Sequence, residues 1–377
     1  MNILRIADIP DNRHGGMSRV MYFTGDRLAA QGHTVDYLFT DKLGGGNPKL
    51  RRFTLPRRIP AIVRAAIASG KKYDVVEVHE PLAWGYARAR KHDRSLPPLV
   101  VMSYGIEQRF HQLKQKYMAA KAKPVNLKGK ISPMTVTRPA VYALRRAAHV
   151  LAANMEDVRY VQSLGVAPER VSVYHTGVEK GFWEAASILP INPAARRGLL
   201  FLATWIDRKG KLDLIPAVTT LLRNHPTLTF TVAGCGPTDV KADFPEDLRS
   251  RIEVIPRING QQELIAVYQR HSVFVLPSMF EGQPLVMSEA AASGLAVVTT
   301  SCCGMLDFIR DGENGLLVQP GDATALAGAL DRLFRDDALT ARLAVAGRET
   351  AREFTWERSA SQMLAAYQAA VVIGKTS

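Results

Sequence analysis

The sequence predicts an α/β protein of two doubly wound, Rossmann-like domains that face each other across a cleft. Three observations carry this. Apolar runs of strand length alternate with helix-period segments from one end to the other, the signature of parallel sheets wrapped by helices. At 377 residues the chain is long for one core and suited to two. A proline-containing stretch without clear period, residues 181–197, divides the alternation into two series.

In the first series, strands are predicted near Ile3–Ala7, Val35–Phe39, Val75–His79, Leu99–Met102, Val150–Ala153 and Val171–Tyr174. Helices lie between them, one over Ser18–Gln31 with Gly32 where a C-terminal cap belongs. The second series has strands near Leu199–Ala203, Thr229–Ala233, Ile252–Ile255, Val273–Leu276, Ala296–Thr299 and Leu316–Val318. From Ala323 the pattern is helical, with a break near Phe354–Trp356. The expected domains are 1–180 and 198–354, with residues 355–377 a helix packing back toward the first. In such sheets ligands bind at the carboxyl ends of the strands.

Composition sets bounds. Hydrophobic content of 47% against 22% charged excludes a disordered chain. No apolar run approaches the ~18 residues that span a bilayer, and the N-terminal run, interrupted at Arg5 and stopped at Asp8, is too short for a signal-peptide core. The cysteines Cys235, Cys302 and Cys303 form neither a disulfide framework nor a spaced metal site, which suits a reducing cytoplasm. The net charge of +14 is uneven: Arg109 to Arg146 contains ten Lys or Arg and no acid. Such a stretch attracts anionic lipid, nucleic acid or acidic substrates, or it is a solvated face. Its few aromatics, Phe110, Tyr117 and Tyr142, make it a poor base-stacking platform, so nucleic acid is not the expected partner.

The most informative stretch runs from Pro277 to Ala290. Glu281 follows a predicted strand and Glu289 stands eight residues on, so the pair would share a face if both were helical, eight residues being about 2.2 turns. Two carboxylates at a crevice can accept hydrogen bonds from sugar hydroxyls; the alternative is a helix-capping Glu281 and an exposed Glu289. Asp207-Arg208-Lys209-Gly210 supplies cations after the first strand of the second series, and the glycine-containing turn at Ser301 to Asp307 offers backbone N–H groups to phosphates. In the first series His14-Gly15-Gly16-Met17-Ser18 joins strand to helix, and His79 closes a strand. No Asp-x-Asp occurs, His79-Glu80 lacks the second histidine of a zinc motif, Gly374-Lys375-Thr376 lacks the upstream glycine of a phosphate loop, and Gly234-Cys235-Gly236 lacks the third glycine of a dinucleotide fingerprint.

Pro277 to Gly294, with Ala296 to Thr300, Asp311 to Val318 and Pro320-Gly321-Asp322, resembles the C-terminal half of the family 4 retaining glycosyltransferases. The resemblance covers nearly the whole chain and is weaker before Gly177. It implies the GT-B architecture, with an acceptor-binding first domain, a nucleotide-sugar-binding second domain and no metal or other cofactor. It assigns Glu281 to the donor sugar, Glu289 to the ribose, Lys209 to the diphosphate, and His79 to the reacting sugar. The implied catalytic set is His79, Lys209 and Glu281. The donor-binding set is Gly15, Gly16, Arg208, Lys209, Gly234, Glu281, Gly282, Gln283, Pro284, Leu285, Glu289, Gly304 and Met305. Thr204 and Trp205 stand where the family's arginine is usual, and adjacent side chains generally point apart, which sets Arg208 against replacing it. Ser301 to Asp307 keeps Gly304 and a shorter acid in place of the family's Gly-Gly and Glu. The expected partners are a nucleotide-sugar donor and a glycan, glycolipid or small-molecule acceptor, with peripheral contact to an anionic membrane through 109–146. A binding protein without turnover and a basic nucleic-acid protein are the competing readings.

Overall fold

The structure, a computed structural model, describes residues 1–13, 15–44, 47–121, 136–188 and 191–376. His14 and three of the basic run's lysines, Lys123, Lys128 and Lys130, lie outside them. The described residues form two compact units: 1–115, 136–177 and 356–376 in one, 116–121 and 178–355 in the other.

The first unit is a six-stranded parallel sheet in the order β2-β1-β3-β4-β5-β6. Its strands are β1 Asn2–Ile6, β2 Thr34–Leu38, β3 Val75–His79, β4 Leu99–Ser103, β5 His149–Ala152 and β6 Val171–Val173. β3, β4 and β5 are buried at every position. Strands covered on both faces read as near-continuous apolar runs, which is why they were legible. The first helix, Gly16–Ala30, ends where expected: Gly32 has a left-handed φ of 84°, and its N–H donates to the Ala29 carbonyl at 2.9 Å. The last helix, Trp356–Thr376, belongs to this unit; Trp356 is buried with its ring 5.2 Å from that of Phe23.

The second unit repeats the plan in the order β12-β11-β10-β7-β8-β9. Here β7 is Leu199–Leu202, β8 Phe230–Ala233, β9 Ile252–Ile255, β10 Val273–Leu276, β11 Ala296–Thr300 and β12 Leu316–Val318. Helices Ala323–Arg335 and Asp337–Ala351 follow, capped by Asp322 and Asp336, whose carboxylates accept from the N–H groups of Ala325 and Leu339, both at 2.8 Å.

Two boundary readings change. The stretch 181–197 is not all irregular: Lys180–Ile188 is a helix whose Phe182 is buried, its ring 6.0 Å from that of Tyr268. A single buried aromatic anchors this turn of chain, and one anchor leaves little periodic signal. Residues 116–121 group with the second unit rather than the first, because the Tyr117 hydroxyl donates to Asp213 at 2.8 Å and the Lys121 ammonium to the Gly321 carbonyl at 2.9 Å. Among the described residues no helix is long and apolar enough to cross a membrane.

Candidate functional site

In a doubly wound sheet, the crevice opens where the chain leaves one strand and winds the other way. In the second unit that point lies between β7 and β10, which neighbour each other while their successors run outward in opposite directions. The loops leaving these two strands carry Arg208-Lys209 and Glu281.

Asp207–Lys209 forms one turn of 3-10 helix ended by Gly210, whose φ is +81°. A Cβ on Gly210 would fall 1.9 Å from the Pro277 carbonyl oxygen, so only glycine lets the two loops close on each other. They are stitched together by the Met279 N–H donating to the Arg208 carbonyl at 3.0 Å. The Lys209 ammonium then donates to Glu281 Oε1 at 2.6 Å, and Arg208 Nη1 reaches the same oxygen at 3.4 Å. The expectation that adjacent side chains diverge therefore fails. A three-residue turn brings two long, flexible side chains back to one carboxylate. Burial opposes ionisation of Glu281, but Lys209 first and Arg208 second outweigh it and hold the carboxyl below its usual range.

Glu281 and Glu289 are not two residues of one helix. Glu281 lies in the loop, and helix Leu285–Ala292 begins only after Gly282, Gln283 and Pro284, so the shared-face reading is corrected. Glu289 is not an exposed helix residue either: it is 2% exposed, and the Tyr268 hydroxyl, 3.1 Å from the Val286 carbonyl oxygen, lies 3.3 Å from its Oε2.

A third loop leaves β11. A Cβ on Gly304 would lie 1.8 Å from the Gly282 carbonyl oxygen, and the Gly304 N–H donates to the Glu281 carbonyl at 3.2 Å. That amide is turned onto protein rather than toward a phosphate, which corrects its expected part: Gly304 shapes the Glu281 loop. Met305 beside it is fully buried. Gly234, with φ +68°, turns the chain at the end of β8, its N–H donating to Ile255 at 2.8 Å.

The first unit has its switch point between β1 and β3. The loop after β1 ends in Gly15, the first helix opens on Gly16, and β3 ends in His79. Gly15 precedes the first helix in extended backbone, and a Cβ on exposed Gly16 would meet nothing within 4 Å, so no internal contact demands glycine there. His79 is buried, its ring 5.1 Å from that of Tyr104, and its Nε2 lies 3.1 Å from Glu77 Oε1. Neighbouring Glu80 has its carboxyl pushed up to about 8, chiefly by burial. Asn154 caps helix Met155–Ser163, accepting from the Asp157 N–H at 2.8 Å.

Sequence reading missed Tyr268 against Glu289, and Arg5, Glu77 and Tyr367 behind His79. The only local trace of the latter is a strand that alternates Glu77 and His79 among valines. It also overstated the free charge of 109–146. Arg109 donates to Asp157 at 2.7 Å and pairs with Glu156, and Lys121 pairs with Asp213; these acids stand outside the run that was counted.

Two six-stranded parallel sheets, each with polar loops at its switch point, are the GT-B architecture, a fold shared with solved structures across nearly the whole chain. Sucrose-phosphate synthase from Thermosynechococcus elongatus superposes with a TM-score of 0.71 at 21% identity, covering 97% of this chain and 98% of that one. Anabaena HepE in complex with UDP-glucose gives 0.66 at 17% identity, again over 97% and 98%. Residues 14–181 match the model for Glycosyltransferase Family 4 and residues 196–336 that for Glycosyl transferases group 1. A D-inositol 3-phosphate glycosyltransferase from Nocardioides sp. is 28% identical over 94% of this chain and 85% of its own length. A glycogen synthase from Mycobacterium tuberculosis is 31% identical over 58% of this chain and 53% of its own length. The chain belongs to the family 4 glycosyltransferases.

Proposed function

We propose that this glycosyltransferase acts with retention and without a metal, holding the donor at the second unit's switch point. The observation that carries the reading is the convergence of Lys209 and Arg208 on Glu281. Two cations and one carboxylate match a diphosphate joined to a polyhydroxyl sugar: the cations face the phosphates and the carboxylate accepts from the sugar. Glu289 accepts from the ribose hydroxyls, with Tyr268 orienting it. Gly282 to Leu285, Gly304, Met305 and Gly234 shape the surrounding loops, and Gly15, Gly16 and His79 serve the reacting sugar from the first unit.

As the glycosidic bond breaks, Lys209 and Arg208 absorb charge growing on the leaving diphosphate, a stabilisation largest in the transition state. The acceptor hydroxyl meets the oxocarbenium-like sugar on the face the phosphate leaves, and a departing phosphate oxygen takes its proton. The acceptor class is a glycan, glycolipid or small polyol, in cell-surface glycan or glycolipid assembly. The proposed setting is the cytoplasm, with peripheral contact to anionic membrane through exposed Lys114 and Lys116 of the basic run.

A thermal-shift and turnover screen of UDP-, GDP- and ADP-sugars tests the donor. A ligand at about 100 times its Kd stabilises by ~2.7 kcal/mol, so the donor nucleotide is expected to raise the Tm. UDP-glucose, bound in HepE, is the first to try. Turnover is expected to persist in excess EDTA. No stabilisation by any nucleotide sugar would refute the donor site, and EDTA inactivation reversed by magnesium or manganese would refute metal independence. Sedimentation with anionic but not neutral vesicles at low salt is expected; equal, negligible binding to both would refute the membrane contact.

A further inference from the structure

Behind His79 the first unit buries a charge network that the transfer reaction as described does not use. Arg5 on β1 stands in register with Glu77 on β3, and both are fully buried. His79, two residues beyond Glu77, projects from the same face because strand side chains alternate. The last helix closes over this face with Tyr367. Its hydroxyl donates to Glu77 Oε2 at 2.5 Å and accepts from Arg5 Nε at 3.1 Å and Nη2 at 2.8 Å. Arg5 Nη1 completes the cage through the Met21 carbonyl and Thr24 Oγ1, both at 2.8 Å.

Burial opposes charge on Glu77, yet Arg5, then His79 and Tyr367, hold its carboxyl below the usual range. An ionised carboxylate only accepts hydrogen bonds. With Oε2 taken by Tyr367, the 3.1 Å contact between Oε1 and His79 Nε2 requires the ring proton on Nε2. In the neutral ring, Nδ1 then carries the lone pair, and among the described residues no protein group hydrogen-bonds to it. Stability gives little reason to keep such a network, since apolar residues of similar volume generally serve a buried ion pair's site as well or better.

We infer that Glu77, held by Arg5 and Tyr367, is a positioning residue that fixes His79 in the Nε2–H tautomer, so that Nδ1 accepts a hydrogen bond from a hydroxyl of the reacting sugar. The inference rests on the proposed reading of His79 as a residue facing that sugar. A group that only accepts there discriminates in favour of a hydroxyl and against a deoxy or O-methylated position.

Glu77→Gln alone would strand buried Arg5, so the test uses the Arg5→Met/Glu77→Met pair, which removes both charges at similar volume, together with Tyr367→Phe. Ring 15N shifts of labelled histidine, assigned by comparison with His79→Asn, are expected to show Nε2–H in the wild type and a mixture in the double variant. With UDP-glucose, or the donor selected by the screen, kcat is expected to fall about tenfold to hundredfold in the double variant, the worth of one charge-assisted hydrogen bond. Tyr367→Phe is expected to fall less, and UDP affinity to stay unchanged in both. In a His79→Ala background the double change is expected to lower kcat no further. An equal loss in both backgrounds would mark a structural role and overturn the inference. An Nδ1–H tautomer in the wild type, with His79→Ala slow, would overturn it while leaving the reading of His79 intact. A wild-type rate in His79→Ala would refute that reading and the inference with it.

Discussion

Replacing Lys209 with Met separates two roles that one ammonium plays. Its contact with Glu281 is 2.6 Å long, between side chains 13% and 9% exposed. Removing one partner of a fully buried pair costs about 3–5 kcal/mol. Here Arg208 remains 3.4 Å from the same oxygen, so the loss is nearer that of one charged hydrogen bond, about 1–3 kcal/mol. For a unit of this size that lowers the Tm by about 2–12 °C. The sign with pH follows from Glu281. Its depressed folded pKa contributes stability that is present above the ordinary value of 4.5 and lost as pH falls through the folded value. Lys209→Met therefore widens the Tm gap at neutral pH, and the gap closes in acid. Catalysis loses more: removing one group that stabilises transition-state charge costs about 100- to 1000-fold in kcat. Nucleoside diphosphate release, measured across donor concentrations, separates kcat from KM. A variant that loses Tm as calculated but turns over at the wild-type rate would show that Lys209 only neutralises Glu281, and the proposed diphosphate clamp would be wrong. Arg208→Met, run in parallel, reports how much of the clamp the second cation supplies.

Glu289→Ala is expected to weaken donor binding about tenfold to hundredfold by calorimetry; unchanged affinity would remove the residue from the ribose site. Gly304→Ala places a Cβ 1.8 Å from the Gly282 carbonyl oxygen, so it is expected to displace the Glu281 loop and abolish donor-induced stabilisation. Gly16→Ala meets nothing and is expected to fold with an unchanged Tm yet lose turnover; full activity would show that no substrate approaches that loop. Glu80, pushed up to about 8 chiefly by burial, binds its proton more tightly folded than unfolded, so its stability contribution is full below 4.5 and lost as pH rises through about 8. Glu80→Gln is expected to flatten that decline, with a Tm above wild type at pH 8 and equal to it near pH 4; parallel Tm profiles for the two proteins would place the decline elsewhere.

What the sequence determined by itself was local. The inner strands of each series were legible because a strand covered on both faces is an apolar run, and Val75 to His79 and Val273 to Leu276 match their observed bounds. The end of the first helix was legible because a left-handed residue favours glycine, and Gly32 stands there. Glu281, Glu289 and Lys209 could be singled out because the local stretches that hold them resemble those of the family 4 glycosyltransferases. Tertiary structure decided which groups meet. Arg208 joins Lys209 on a carboxylate 73 residues away only because Gly210 admits the Pro277 carbonyl and one 3-10 turn folds both side chains back. The Gly304 N–H belongs to the Glu281 carbonyl rather than to a phosphate, and Glu289 is buried rather than exposed, because loops from adjacent strands pack on one another. Tyr367 reaches Glu77 across 290 positions, since the chain's last helix folds onto the first sheet. Periodicity reports which face of an element is covered. What covers it depends on strand order and loop closure, and these bring together residues that share no local pattern.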